Sequence, residues 1–159
     1  MPEASGARRE AVRDFKRAAI LAAAQDIFGK AGLEGATVRA IAQAAGYTAG
    51  AVYSYYATKE AIYADILAHS LAALRETVEA AANAASDDEA RVRQAVRPFF
   101  DYYRTHPQEL ELGFYLFQGL RPRGLSRDFD HDLNSRLIAA LMRIRSAILR
   151  FGRVRPLAA

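Results

Sequence analysis

Residues 36–60, ATVRAIAQAAGYTAGAVYSYYATKE, constrain the chain more than any other stretch, because they spell two short helices joined by a tight turn. Thr37 is placed to cap the first helix, whose inward face is Val38, Ile41, Ala42 and Ala45. Gly46 supplies a left-handed backbone position that a side chain would penalise. Thr48 is placed to cap the second helix, with Ala51, Val52 and Tyr55 at one-face spacing. Two short helices about a glycine-containing turn are what a protein needs to lay one helix in the DNA major groove. Ala49, Gly50 and Ala51 keep the start of that second helix slender enough to come close to DNA.

The flanking sequence is helical in character throughout. Just over half of the 159 residues are apolar, there are only five prolines, and no strand-like alternation of useful length occurs. We expect an all-α fold: an N-terminal three-helix unit with the helix-turn-helix, joined by a long fourth helix to a helical second region. The expected organisation is a disordered basic arm over 1–11, a DNA-binding domain over 12–58, an effector-binding and dimerisation domain over 59–151, and a tail over 152–159. Helix 1 is expected over 12–31, closed by Gly32. Thr58 is the expected cap of helix 4, whose stripe runs Ile62, Ile66, Leu67, Leu71, Leu74 and Val78.

Further along, Ser86 and Glu89 have capping-box spacing for a helix over 90–105, with Val92, Val96, Phe99, Phe100 and Tyr103 inward. Pro98 implies either a kink or a later start. His106 and Pro107 break that helix, and helix resumes over 109–117. A loop spans 119–124. A last helix over 126–151 repeats Phe129, Leu133, Leu137, Leu141, Ile144 and Ile148 at three- and four-residue spacing.

Cysteine is absent, which excludes disulfides and thiolate metal sites. No apolar run reaches the roughly 18 residues of a membrane span, and the N-terminus lacks the apolar core of a signal peptide, so a soluble, cytoplasmic protein is expected. The net charge of +4 is unevenly spread. Residues 1–60 carry eight Lys/Arg against six Asp/Glu, residues 61–120 five against nine, and residues 121–159 nine against three. The mildly basic first third suits phosphate contact, and the acidic middle does not. Arg8, Arg9 and Arg13 are candidates to reach the DNA backbone.

The first 67 residues resemble the TetR/AcrR family of bacterial transcriptional regulators. The pattern is Ile20, Ala24, Ile27, Phe28, Gly32 and Thr37, then Ile41, Ala42, Ala45 and Gly46. It continues with Val52, Tyr53, Tyr55, Tyr56, Lys59 and Glu60, and ends in an apolar helix beginning Ile62 and Leu67. The resemblance implies a regulator rather than an enzyme: a homodimer on double-stranded operator DNA, usually a repressor, released by a small, mostly apolar effector. No cofactor and no membrane partner are expected. An effector-independent DNA-binding regulator is the alternative, and a helical small-molecule-binding protein or enzyme a more distant one.

Candidate DNA-reading residues are Thr48, Ala49, Gly50 and Tyr53 at the start of the second helix. By resemblance, Arg39 takes the place of a residue able to reach a base. Thr37, Tyr55, Tyr56 and Lys59 are candidate phosphate contacts through hydroxyls, a helix N-terminus and an ammonium. One of the two tyrosines packs as core, and by alignment Tyr56 holds the more exposed position. Phe99, Phe100, Tyr102, Tyr103, His106, Phe114, Tyr115 and Phe117 form an aromatic set that either fills a core or walls an apolar pocket. In the family, effector binding shifts helix 4, and the last two helices of each chain build the dimer. Here only one such helix is evident, and Leu133, Leu137, Leu141 and Ile144 are its candidate dimer contacts. The acids around Asp128, Asp130 and Asp132 fail the calcium-loop pattern, since Leu133 and Ala139 stand where Gly and Glu are needed. No metal site is expected. His69 and His106 lack metal-ligand spacing, and no nucleophile elbow occurs.

Overall fold

In a computed structural model the described residues are 3–110 and 127–154. They form six helices: α1 (Glu3–Gly35), α2 (Val38–Ala44), α3 (Ala49–Tyr53), α4 (Lys59–Asn83), α5 (Asp88–Thr105) and α6 (Arg127–Val154). Residues 107–110 add one more helical turn, and no strand occurs among the described residues. The all-α fold follows from the alanine-rich composition and the three- and four-residue apolar spacing.

The chain divides into two compact units within α4, between Ile66 and Leu67. The first unit buries Ile20, Ala24, Phe28 and Leu33 of α1, Ile41 and Ala42 of α2, Val52 of α3, and Ile62, Tyr63 and Ile66 of α4. Phe28 and Tyr63 meet edge to face with ring centroids 5.4 Å apart, an aromatic geometry that contributes beyond area burial. Inside α1, Gly32 has φ 66° and ψ 175°, so the regular helix stops there, where the sequence places its end. At the other end α1 is longer than expected. Residues 3–11, expected as a disordered arm, continue the helix, because Ala, Arg and Glu favour it and Gly6 is the one weak former. Side chains from Gly6 to Ala18 are all exposed.

The second unit buries Leu67, Leu71, Leu74 and Val78 of α4 with Ala90, Ala95 and Tyr102 of α5 and Leu133, Ala140 and Ala147 of α6. Helices α5 and α6 pack on each other, and Arg143 of α6 pairs with Glu79 of α4. Helix α5 starts at Asp88 and contains Pro98, so the later start does not occur. Its cap is Asp87, whose Oδ1 accepts from the Ala90 N–H at 2.7 Å, while Ser86 merely donates to the Asp87 carboxylate. A carboxylate is the stronger acceptor at a positive helix end, which moves the expected cap by one residue. The same bond holds the Asp87 carboxyl below its ordinary pKa.

Candidate nucleic-acid interface

Helices α2 and α3 owe their geometry to two threonine caps and one glycine. Thr37 sits in extended backbone (φ −133°, ψ 147°), and its Oγ1 accepts from the Ala40 N–H at 3.1 Å. Such a cap is worth about 1 kcal/mol. After Ala45 the chain reverses at Gly46, φ 75°. The Tyr47 N–H bonds back to the Ala42 carbonyl at 2.8 Å and the Gly46 N–H to Gln43 at 3.2 Å. This pair of bonds is the Schellman termination, which satisfies the last carbonyls of α2 and needs the left-handed residue that glycine supplies. Two residues later Thr48 caps α3, accepting from the Ala51 N–H at 3.2 Å.

Helix α3 is one and a half turns long and is anchored by one residue. Val52 is fully buried, whereas Thr48 and Gly50 are exposed and Ala49 and Ala51 half-buried. Tyr53 is 55% exposed, unusual for so large a side chain. At Gly50 an added Cβ would meet nothing nearer than Thr48 Oγ1 at 4.0 Å. Internal packing therefore does not require glycine there, and the small residue leaves room on the outside. Thr37 and Arg39 are exposed, and Arg39 has no partner among the described residues. Thr48, Gly50, Tyr53 and Arg39 thus present a hydroxyl, bare backbone, an aromatic ring and a guanidinium to solvent.

Two expected phosphate contacts turn inward instead. Tyr56 is 8% exposed and Tyr55 is the more open of the pair, the reverse of the expected order. The Tyr56 O–H donates to Asp65 Oδ2 at 2.5 Å, and the Arg17 Nε donates to the Tyr56 oxygen at 3.1 Å. Arg17 also forks onto the Asp65 carboxylate, with its closest contacts at 2.8 Å. Burial, then the bond to Asp65, pushes the Tyr56 hydroxyl up to about 12, and its two partners push Arg17 above its ordinary value. Lys59 is likewise engaged. Its ammonium donates to the carbonyls of Leu33 at 2.7 Å, Ala36 at 3.0 Å and Glu34 at 3.1 Å. An ammonium has three donors, so none is left for a phosphate. The Arg17–Asp65 pair was missed from the sequence, although an aspartate between the buried Ala64 and Ile66 was the available signal.

In the second unit the aromatic set separates. Phe100 is 66% exposed and lines no interior. Phe99 and Tyr103 are half-buried and meet edge to face at 5.2 Å. The buried aromatic of α5 is Tyr102, since its inward line runs through Ala95 and Tyr102 rather than Phe100. The Tyr102 O–H donates to Glu109 Oε2 at 2.7 Å, the same oxygen accepts from Ser70 Oγ at 2.6 Å, and the exposed His106 ring stacks on Tyr102 at 4.5 Å. Burial and the Glu109 bond raise the Tyr102 hydroxyl well above its ordinary value. Phe114, Tyr115 and Phe117 lie outside the described residues.

Among the candidate dimer contacts, Leu133 is buried within the chain, forming one line with Ala140 and Ala147, so it is core. Leu137 and Ile144 are half-buried and Leu141 is exposed. A second apolar line, Ile138, Leu141, Met142, Ile148 and Leu149, stands 41–58% exposed on α6.

Comparison with known proteins fits this arrangement. Residues 20–66 match the family model "Bacterial regulatory proteins, tetR family". The chain is 31% identical over 102 residues to the HTH-type transcriptional activator FasR of Mycolicibacterium smegmatis, covering 64% of this chain and 47% of that one. It is 30% identical over 112 residues to the HTH-type transcriptional repressor NicS of Pseudomonas putida, covering 69% and 53%. The chain therefore spans about half the length of the curated relatives it matches. Among solved structures, the TetR family transcriptional regulator PfmR from Thermus thermophilus superposes with a TM-score of 0.70 at 26% identity, over 84% of this chain and 68% of that one.

Proposed function

We propose that this chain, whose residues 20–66 match the tetR family of bacterial regulatory proteins, is a transcriptional repressor that binds a palindromic operator as a homodimer and is released by a small, mostly apolar effector. The observation that carries the reading is the outward tip of α3. Val52 anchors the helix, and Thr48, Ala49, Gly50 and Tyr53 are left to meet base edges. Arg39, Thr37 and Tyr55 flank that tip as base or phosphate contacts. The division of labour follows the chain: a reader up to the start of α4 and an effector-binding and dimerising region beyond it. Among the described residues no helix is long and apolar enough to cross a membrane, and a protein that reads chromosomal DNA works in the cytoplasm.

Repression is the simpler output, because a protein seated on promoter DNA excludes polymerase without contacting it. Of the two curated relatives named above, one is an activator by name and the other a repressor. Half-buried Phe99 and Tyr103 are the described side chains that support an apolar effector site. A regulator without effector is favoured by one observation: the polar tips of Tyr102, Ser70 and Glu109 are already paired with one another. The exposed apolar line on α6 supports a symmetric contact with a second copy.

A gel-shift assay against the intergenic DNA beside the gene tests the reading. A retarded complex that outcompetes scrambled duplex is expected, and its dissociation by hydrophobic compounds identifies the effector class. Equal binding to scrambled DNA overturns it.

A further inference from the structure

We propose that Tyr56 and Asp65, held by Arg17, are positioning residues that set the orientation of the α3 tip on DNA. The inference rests on α3 being the DNA reader. A helix of five residues has almost no stability of its own, and α3 has one buried side chain, Val52. Its attitude is fixed on the N-terminal side by α2 and the Gly46 turn and on the other side by the segment that follows its C-terminus. Three residues past its end the Tyr56 ring is buried, and the Tyr56 N–H still bonds to the Val52 carbonyl at 3.0 Å. Tyr56 is thus continuous with the last turn of the reader.

The hydroxyl of Tyr56 is satisfied on both sides. Its one proton goes to Asp65 Oδ2 at 2.5 Å, on α4, and its oxygen accepts from Arg17 Nε at 3.1 Å, on α1. Arg17 in turn grips both oxygens of Asp65 from Nη2 at 2.8 Å, with Nε 3.1 Å from Oδ2, contacts that fix the carboxylate. A phenylalanine ring would fill the same apolar space, so packing alone does not ask for the oxygen. What the oxygen adds is direction: it ties the ring to one point on α4 and one on α1. A reader must hold its side chains to within about half an ångström of base edges, which apolar contact through Val52 alone does not enforce.

The test compares the full-length protein with Tyr56→Phe and Asp65→Asn on operator and on scrambled duplex of equal length. If the unaltered protein does not prefer operator, the DNA-reading assignment fails before the positioning role of Tyr56 and Asp65 is at issue. If it does, Tyr56→Phe is expected to weaken operator binding about tenfold and scrambled binding less than about twofold, with the salt dependence unchanged because no phosphate contact is lost. Asp65→Asn is expected to move both affinities in the same directions. Amide exchange supplies the readout that mere loss of stability would not reproduce: faster exchange at Val52 and Tyr53 in Tyr56→Phe, with Ile41 and Ala45 unchanged. Operator binding unaltered in Tyr56→Phe would overturn the proposal. So would equal weakening on both duplexes with exchange raised throughout the first unit.

Discussion

The Lys59 ammonium lies 2.7 Å from the carbonyl oxygen of Leu33, 26 residues earlier, and within 3.1 Å of the Glu34 and Ala36 carbonyls as well. A residue whose type suggests phosphate contact is therefore the lock on the bend between α1 and α2. Replacing it by methionine keeps the stem and strands the carbonyls, a loss of about 1–3 kcal/mol. Urea unfolding should show a lowered midpoint, while the slope of operator affinity against salt stays as it was. A flattened salt slope with no change in stability would return Lys59 to the DNA surface.

Gly46 makes a comparable prediction from backbone alone. Nothing lies within 4 Å of a Cβ built there, so an alanine would suffer no collision, but φ +75° costs a side-chain-bearing residue about 1–2 kcal/mol. Gly46→Ala should lower the unfolding midpoint by that amount, and Gly46→Asn by less, since asparagine tolerates the left-handed region. Equal stability of all three would mean that the turn relaxes.

Tyr53 and Arg39 should show the opposite profile, because both are exposed and neither serves the core. Tyr53→Ala and Arg39→Ala are expected to leave stability within about 0.5 kcal/mol. Operator affinity should fall by about 1–3 kcal/mol for each, and for Arg39 the loss should come from relaxed preference at one base pair per half-site. Competition against single-base operator variants reads this directly. An Arg39→Ala protein that weakens on every sequence alike would make Arg39 a phosphate contact.

The raised Tyr56 hydroxyl has a signed consequence. Burial and the Asp65 bond keep it protonated in the folded state up to about pH 12, against an ordinary value of 10.0. A group raised on folding contributes its stability fully below its unfolded value and loses it as pH climbs through the folded one. Stability should therefore fall between pH 10 and 12 more steeply in the unaltered protein than in Tyr56→Phe. Ultraviolet titration should show one late-ionising tyrosine fewer in the variant. Loss of an ordinarily ionising tyrosine instead, with the late phase unchanged, would place the Tyr56 oxygen in water.

The helix-turn-helix was legible because its signals are local: two threonine caps, one left-handed glycine and apolar residues at helical spacing act within a few residues. The polar ties were not, because they join residues 39 and 48 positions apart, Arg17 to Tyr56 and to Asp65, and nothing local marks such pairs. The inward face of α5 escapes the sequence for a different reason. Hydrophobic size favours its aromatic residues over alanine, yet Ala95 is fully buried and Phe100 is open. Close helix packing selects the small side chain for the contact line and pushes the large ones to its margins.

The same selection of small residues accounts for α6. Leu133, Ala140 and Ala147, spaced by seven, face the chain's own core, and this leaves Ile138, Leu141, Met142, Ile148 and Leu149 in solvent on the far side of the helix. An exposed apolar stripe of that length is a docking surface or a liability, and in the proposed homodimer a two-fold contact between copies would cover it on both sides at once. Because these side chains are open in the single chain, Leu141→Glu with Ile148→Glu should leave the helical content and unfolding midpoint of the folded chain close to their starting values. The pair should nevertheless convert the proposed dimer to a monomer in sedimentation, since four buried carboxylates would face one another across the axis. Operator binding should then lose the gain from two linked half-sites. A doubly substituted protein that still sediments as the unaltered one does would move the dimer contact to another surface.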